Sequence, residues 1–278
     1  MVNPYNQNLD PNPANYQPLT PLSFLERASD VFPDFVAIIH GSQRFTYREF
    51  YTRSKQLASA LSKQGMTRGS TVSTLLMNTP PMLEAHYGIP MCGAVIHAIN
   101  TRLDPATIAF QLDHADSQIL LFDQELSLVI KEVLELCKVN PLLVCYQDKQ
   151  LDTKDLSKDT NLSSHKIIDY ENFIEVGDPD YQWLMPENEW DAISVGYTSG
   201  TTGDPKGVVS HHRGAYLLAQ GNALVASMPK HSVYLWTLPM FHCNGWCFPW
   251  TLSAIIGTHV CLRQVRAEPI WQNIKDHK

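Results

Sequence analysis

Hydrophobic and polar positions along this chain follow two rhythms, and each change of rhythm marks an element. After a loose start rich in Pro and Asn, Leu22, Leu25, Ala28 and Phe32 recur at helical spacing, with Thr20 as N-cap and Pro21 as first helical residue. Residues 36–40 read as a strand, Gly41-Ser42 as a turn, and 44–46 as a short return strand. Thr46-Tyr-Arg-Glu49 has the form of a capping box. It opens a helix with Tyr47, Phe50, Tyr51, Ser54, Leu57, Ala58 and Leu61 on one face, ending at Gly65. Strands are then predicted at 71–77, 94–99, 117–122 and 142–146. They alternate with helices opened by Thr79-Pro80 and Asp104-Pro105 and with a third over 125–137. Strand and helix alternating at this interval predict an α/β fold of mostly parallel sheets covered on both faces, in several layers. Residues 147–165 are polar and read as a surface excursion, and 177–191 as an acidic connector.

Composition narrows the function. The chain is 44% hydrophobic and 18% charged, as globular proteins are. Its net charge is −7 with Lys and Arg scattered, which argues against a nucleic-acid partner, because that would need a basic face. No run of about 18 apolar residues predicts a transmembrane segment, and residues 1–5 lack the basic-then-apolar pattern of a signal peptide. The six cysteines form no CxxC pair. Cys243 and Cys247 lie near His242, but no second ligand pair stands at zinc spacing, so no metal is assigned. A reduced compartment is the natural setting, with cytoplasm as the default.

The segment from Asp191 to Ser210 carries the chemistry. An apolar strand (193–197) enters a loop of glycines and hydroxyl residues that closes on Pro205-Lys206-Gly207, and Val208-Val209 leaves it. Glycines at 200, 203 and 207 allow tight turns that bring N–H groups against an anion. Thr198, Ser199, Thr201 and Thr202 add hydroxyls, and Lys206 adds a charge. A flexible linker has similar composition, but two tight flanking strands and the Pro-Lys-Gly closure favour a polyphosphate site. It is not a Walker loop: Pro205 stands where Gly is needed before the Lys, and no Ser or Thr follows Lys206. No dinucleotide GxGxxG occurs.

YTSGTTGDPKG (197–207) resembles the signature loop of the acyl-adenylate-forming superfamily, and VVSHHRGAY (208–216), NPANYQPLTPLSFLERA (12–28) and NTRLDP (100–105) resemble its acyl-CoA synthetase and acyl-activating subset. The resemblance extends over nearly the whole chain. It implies that Thr198, Ser199, Gly200, Thr201, Thr202, Gly203, Asp204, Pro205 and Lys206 bind ATP. LPMFHCNGW (238–246) resembles the next motif of that family, beside the acyl pocket and the pantetheine tunnel. By that likeness Phe241, His242, Gly245 and Trp246 line the pocket, and His242 positions the carboxylate or gates the thiol. On its own, a histidine such as His242 among Phe241, Trp246, Phe248 and Trp250 is more often a satisfied core residue than a catalytic one. His97, His114 and His211-His212-Arg213 read as packing or surface groups. The implied reaction joins a carboxylic acid, expected to be a fatty or other hydrophobic one, to coenzyme A through an acyl-adenylate, using ATP and Mg2+. Residues 1–278 would then be part of the family's large N-terminal domain. The Thr-Glu motif, the ribose-binding Asp, the hinge and the small C-terminal domain with its Lys are not found, so little or no ligase activity is expected from the chain alone. An adenylation domain loading a carrier protein and a non-catalytic nucleotide-binding protein are the other classes to separate. The sequence specifies no particular acid or oligomeric state, and a peroxisomal address is not assessable from it.

Overall fold

In the computed structural model, which describes residues 3–151, 166–198 and 204–277, two sheets carry the chain. The larger has the order β7-β6-β5-β3-β4-β8-β9 among the described residues. Its strands are β3 (Thr71–Leu75), β4 (Val95–Ala98), β5 (Ser117–Asp123), β6 (Leu142–Tyr146), β7 (Ile167–Asp169), β8 (Ala192–Thr198) and β9 (Lys206–His211). All neighbours pair in parallel except β8 and β9, which are antiparallel. The smaller sheet, ordered β10-β11-β1-β2, comprises β1 (Val36–His40), β2 (Gln43–Thr46), β10 (Val233–Leu235) and β11 (Thr258–Val260).

The strands alternate between two cores, which is why their sequences read as continuous apolar runs. Ile119, Leu121 and Val144 face the core shared with α1 (Leu22–Val31), α2 (Tyr47–Lys63) and α3 (Pro80–Met91). Leu120, Phe122 and Leu143 face the opposite core, under α4 (Pro105–His114) and α5 (Ser127–Leu136). Helix α3 is buried along its whole length, as a helix apolar all round should be. Its one carboxylate, Glu84, is accommodated by the Arg53 guanidinium at 2.5 Å and a 2.6 Å hydrogen bond from the Tyr170 hydroxyl at the start of α6 (Tyr170–Glu175). The remaining helices are α7 (His212–Val225), α8 (Phe248–Ala254) and α9 (Ala267–Asp276).

Caps decide several boundaries. The capping box at Thr46 and Glu49 forms with both bonds present, and Asp104 accepts from the Thr107 N–H at 3.0 Å. The start of α1 lies one residue later than expected: Pro21 occupies the cap position, while the Thr20 hydroxyl accepts from the Leu22 N–H at 3.3 Å and also lies 2.9 Å from His212 Nδ1. The predicted helix over 125–137 divides into a short 3-10 turn at Gln124–Leu126 and α5. The polar excursion is corrected at its start: Asp148 is 1% exposed and bonds His40 and Arg263, while 152–165 lie outside the described residues.

Candidate functional site

The phosphate-type loop is the tip of a hairpin. β8 and β9 pair up to its base, with Gly196 opposite Val208, Tyr197 opposite Gly207 and Thr198 opposite Lys206. Thr198 and Lys206 therefore meet as the last pair, both exposed, with Asp204 exposed beside them. Ser199, Gly200, Thr201, Thr202 and Gly203 lie outside the described residues. This last described pair stands at the carboxyl ends of the parallel strands, the edge at which open α/β sheets bind ligands.

The strand that delivers the loop is anchored by two histidines. The Tyr197 hydroxyl and His114 Nδ1 lie 2.7 Å apart, and the Tyr197 ring lies 5.0 Å from the His97 ring. His97, opposite Val195 on β4, bonds the Ser73 hydroxyl at 2.8 Å, and burial lowers its pKa to about 4, so it is neutral at pH 7. On the exit side, the His211 Nδ1 caps α7 by accepting from the Gly214 N–H at 2.8 Å. His212 is buried against Thr20, and Arg213 pairs with Glu189 at 2.6 Å. The trio is thus tied into caps and packing; cations at this helix start read from the sequence as ordinary surface residues, and His212 is not one.

The second motif follows β10 without joining a strand. Asn78, three residues past the end of β3, donates to the Trp236 and Leu238 carbonyls at 2.9 Å each and accepts from the Met240 N–H at 2.9 Å. Phe241 is half-buried against the main core, and His242 is exposed at the start of a 3-10 segment, His242–Cys247. Gly245, Trp246 and Cys247 all have left-handed backbones, with φ of 57°, 52° and 62°. Two non-glycine residues in that region cost about 1–2 kcal/mol each, strain of the kind found at functional loops. The glycine is required twice over, since a Cβ there would come within 3.1 Å of Pro249. Asn222 on α7 donates to the Trp246 carbonyl at 2.7 Å. The 3-10 segment packs against both β8 and α7, so motif and hairpin are neighbours.

Not every candidate points outward. Gly245 is buried behind the surface formed by His242 and the half-exposed Trp246. Burial pushes the Cys247 thiol up to about 12, so it would not supply a thiolate beside His242 at neutral pH. Trp250, a core residue of α8, is 1% exposed and packs on His86 of α3. Cavities of about 330 and 380 Å3 lie elsewhere, one between Tyr51 and Trp183 and one between Val233 and Ile274. Among the described residues, neither is lined by Thr198, Asp204, Pro205, Lys206, Phe241, His242 or Trp246. Sequence reading missed Asn78, Asn222 and the His97–Tyr197–His114 contacts. An imidazole inside the otherwise apolar run of β4 was the one available signal.

Residues 25–278 match the family model described as "AMP-binding enzyme". The chain is 47% identical over 273 residues to the peroxisomal acetate/butyrate–CoA ligase of Arabidopsis thaliana, covering 96% of this chain and 48% of that protein. It is 45% identical over 274 residues to the acetate–CoA ligase of Humulus lupulus, again covering 96% and 48%. The chain thus spans about half the length of the curated relatives it matches. Its fold is similar to the crystal structure of an anthranilate CoA ligase in complex with anthranoyl-AMP, with a TM-score of 0.81 at 20% identity, over 95% of this chain and 49% of that one.

Proposed function

The chain belongs to the AMP-binding enzyme family, and from this we propose that it supplies the nucleotide- and acid-binding front of an AMP-forming acid–thiol ligase. One observation carries the reading: the hairpin that ends in Thr198 and Lys206 lies beside the Phe241–Trp246 loop, at the carboxyl edge of the parallel sheet. A carboxylate is a poor acyl donor because oxide is a poor leaving group. Attack of its oxygen on the α-phosphorus of ATP releases pyrophosphate and leaves an acyl-adenylate, and the coenzyme A thiol then displaces AMP from the carbonyl. The hairpin tip holds the β- and γ-phosphates through backbone N–H groups, hydroxyls and Lys206. It stabilises departing pyrophosphate with donors fixed in advance. His242 orients the incoming carboxylate or gates the thiol, with Phe241 and Trp246 against the acyl chain. Among the described residues no three carboxylate, His or Cys side chains converge as a metal site. Mg2+ would arrive on the phosphates of ATP, and no step is assigned to it.

The names of the acetate/butyrate and acetate ligases support a short-chain aliphatic acid and free coenzyme A as acceptor, rather than a carrier protein. The Arabidopsis relative's name supports a peroxisomal setting over a cytoplasmic one; imaging of the tagged full-length protein decides this. Calorimetric titration of the 278-residue chain with ATP tests the site itself. Saturable binding is expected, weakened about ten- to hundred-fold by Lys206→Ala, because a charged hydrogen bond contributes about 1.5–3 kcal/mol. No ATP binding, or binding indifferent to Lys206, overturns the proposal.

A further inference from the structure

We propose that Asn78 and Asn222 are positioning residues that clamp the two ends of the 236–246 loop, one to the central strand of the large sheet and one to the helix that leaves the phosphate hairpin. The inference rests on the reading that this loop serves the acid. Between the end of β10 and the 3-10 segment only Trp236 has a main-chain bond to a neighbouring strand among the described residues, its N–H donating to the Val260 carbonyl at 3.0 Å. A buried loop without a ladder needs partners for its N–H and C=O groups from side chains. Asn78 is 8% exposed and uses both amide hydrogens and its oxygen on three main-chain groups of five consecutive residues, 236–240. No other side-chain type of that size offers two donors and an acceptor in one plane. Asn222 holds the far end. Its amide reaches the carbonyl of left-handed Trp246 at 2.7 Å and the Thr251 hydroxyl at 3.3 Å. Thr251 lies in turn within bonding distance of the Ala219 carbonyl, in the helix that carries Asn222.

The consequence is geometric. Asn78 stands at the same carboxyl edge as Thr198, and Asn222 stands on the helix that begins where β9 ends. Both ends of the loop are therefore referenced to the body that carries the phosphate tip, and Phe241 and His242 between them are held at a fixed offset from it. Neither amide needs to touch a substrate. The reaction requires an acid oxygen to reach the α-phosphorus, so an ångström of drift in this offset would matter.

The test uses the 278-residue chain labelled with 5-fluorotryptophan. Six tryptophans give six fluorine lines, with Trp236 and Trp246 assigned by single Trp→Phe variants. Trp183, Trp190 and Trp271 lie outside the loop and report the fold. Asn222→Asp keeps size but loses the donor, and is expected to shift or broaden the Trp246 line alone. Asn78→Asp keeps the acceptor for Met240 but sets a carboxylate against two carbonyls, and is expected to move both Trp236 and Trp246 lines at neutral pH. Protonation below about pH 5 restores one donor, so those lines should return toward their wild-type positions. In the wild type, ATP should shift the Trp246 line; in both variants ATP should bind with unchanged affinity while that response is lost. Trp236 and Trp246 lines unmoved by either substitution would overturn the clamp. Broadening of all six lines at both pH values would instead make Asn78 a folding residue and overturn its positioning role. Failure of ATP to bind the wild-type chain would sink the nucleotide reading and leave the clamp to be judged on the ATP-free spectra.

Discussion

Replacing Arg263 by Met is expected to cost this protein as much stability as a large truncation in its apolar core, and the cost should shrink in acid. Arg263 follows β11 of the small sheet and reaches across to the large one. Its two terminal nitrogens bond Asp123 at 2.8 and 2.5 Å, Asp148 at 3.0 Å and Glu125 at 2.8 Å. Asp123 and Asp148 are 0% and 1% exposed. Removing one partner of a buried pair costs about 3–5 kcal/mol because the other charge remains buried. Here two carboxylates lose the same cation, which places the figure near the top of that range. At a urea slope of about 3 kcal/mol per molar, the unfolding midpoint should fall by about 1–1.7 M. The pH dependence follows from the carboxyl groups. In the wild type, burial alone would raise the Asp148 pKa, but hydrogen bonds from His40 and the Gln150 N–H and the charge of Arg263 outweigh it, and the group sits below the usual carboxylate value. Its stabilisation is present above that value and is lost as pH falls through the depressed pKa. In Arg263→Met the cation's lowering effect is gone, so the folded-state pKa of Asp148 rises from its wild-type value. The lost stabilisation is full at neutral pH and fades as pH falls through the raised value. Urea unfolding at pH 7.5 and at about pH 4.5 should therefore show a large deficit at the first and a smaller one at the second. Arg263→Lys, which keeps charge and loses the fork, should show a smaller deficit with little pH dependence. A midpoint shift under about 0.3 M at pH 7.5, or a deficit equal at both pH values, would refute the argument.

Other predictions rest on different parts of the molecule. Burial lowers the pKa values of His86, His97 and His212 to about 4 and of His259 to about 3, so each is neutral in the fold and charges on unfolding. Their stabilisation is present above about pH 6.5 and is lost between there and about 4, at about 1.4 kcal/mol per pH unit for each histidine; acid urea titrations should show this slope, reduced in His86→Leu. Gly245→Ala should cost about 1–2 kcal/mol from its φ of 57° alone, plus the clash with Pro249 and Trp236, read as a lowered melting temperature. Val208 and Val209 are 52% and 62% exposed on the edge strand β9. Val209→Lys should therefore reduce self-association measured by light scattering, while Val209→Ile should not.

Local chemistry is what the sequence could determine alone. The capping residues Thr46 and Asp104 act on N–H groups three positions away, and β6 formed over the very residues whose apolar run predicted it. The family likeness carried by residues 197–207 was equally legible, because the residues of that motif are consecutive. Tertiary structure decided everything that depends on partners distant in the chain. That Asp148 is buried, in a stretch that looks solvated, follows from Arg263, 115 residues away. That the exit strand of the loop turns back antiparallel, making the tip a hairpin, depends on strand pairing rather than composition. The anchoring of residues 236–240 rests on Asn78, which gives no signal in the sequence until Trp236, Leu238 and Met240 come to meet it. A hydrogen bond costs the chain the same geometry whether its partner is three residues away or 160, and only the first case leaves a pattern in the sequence.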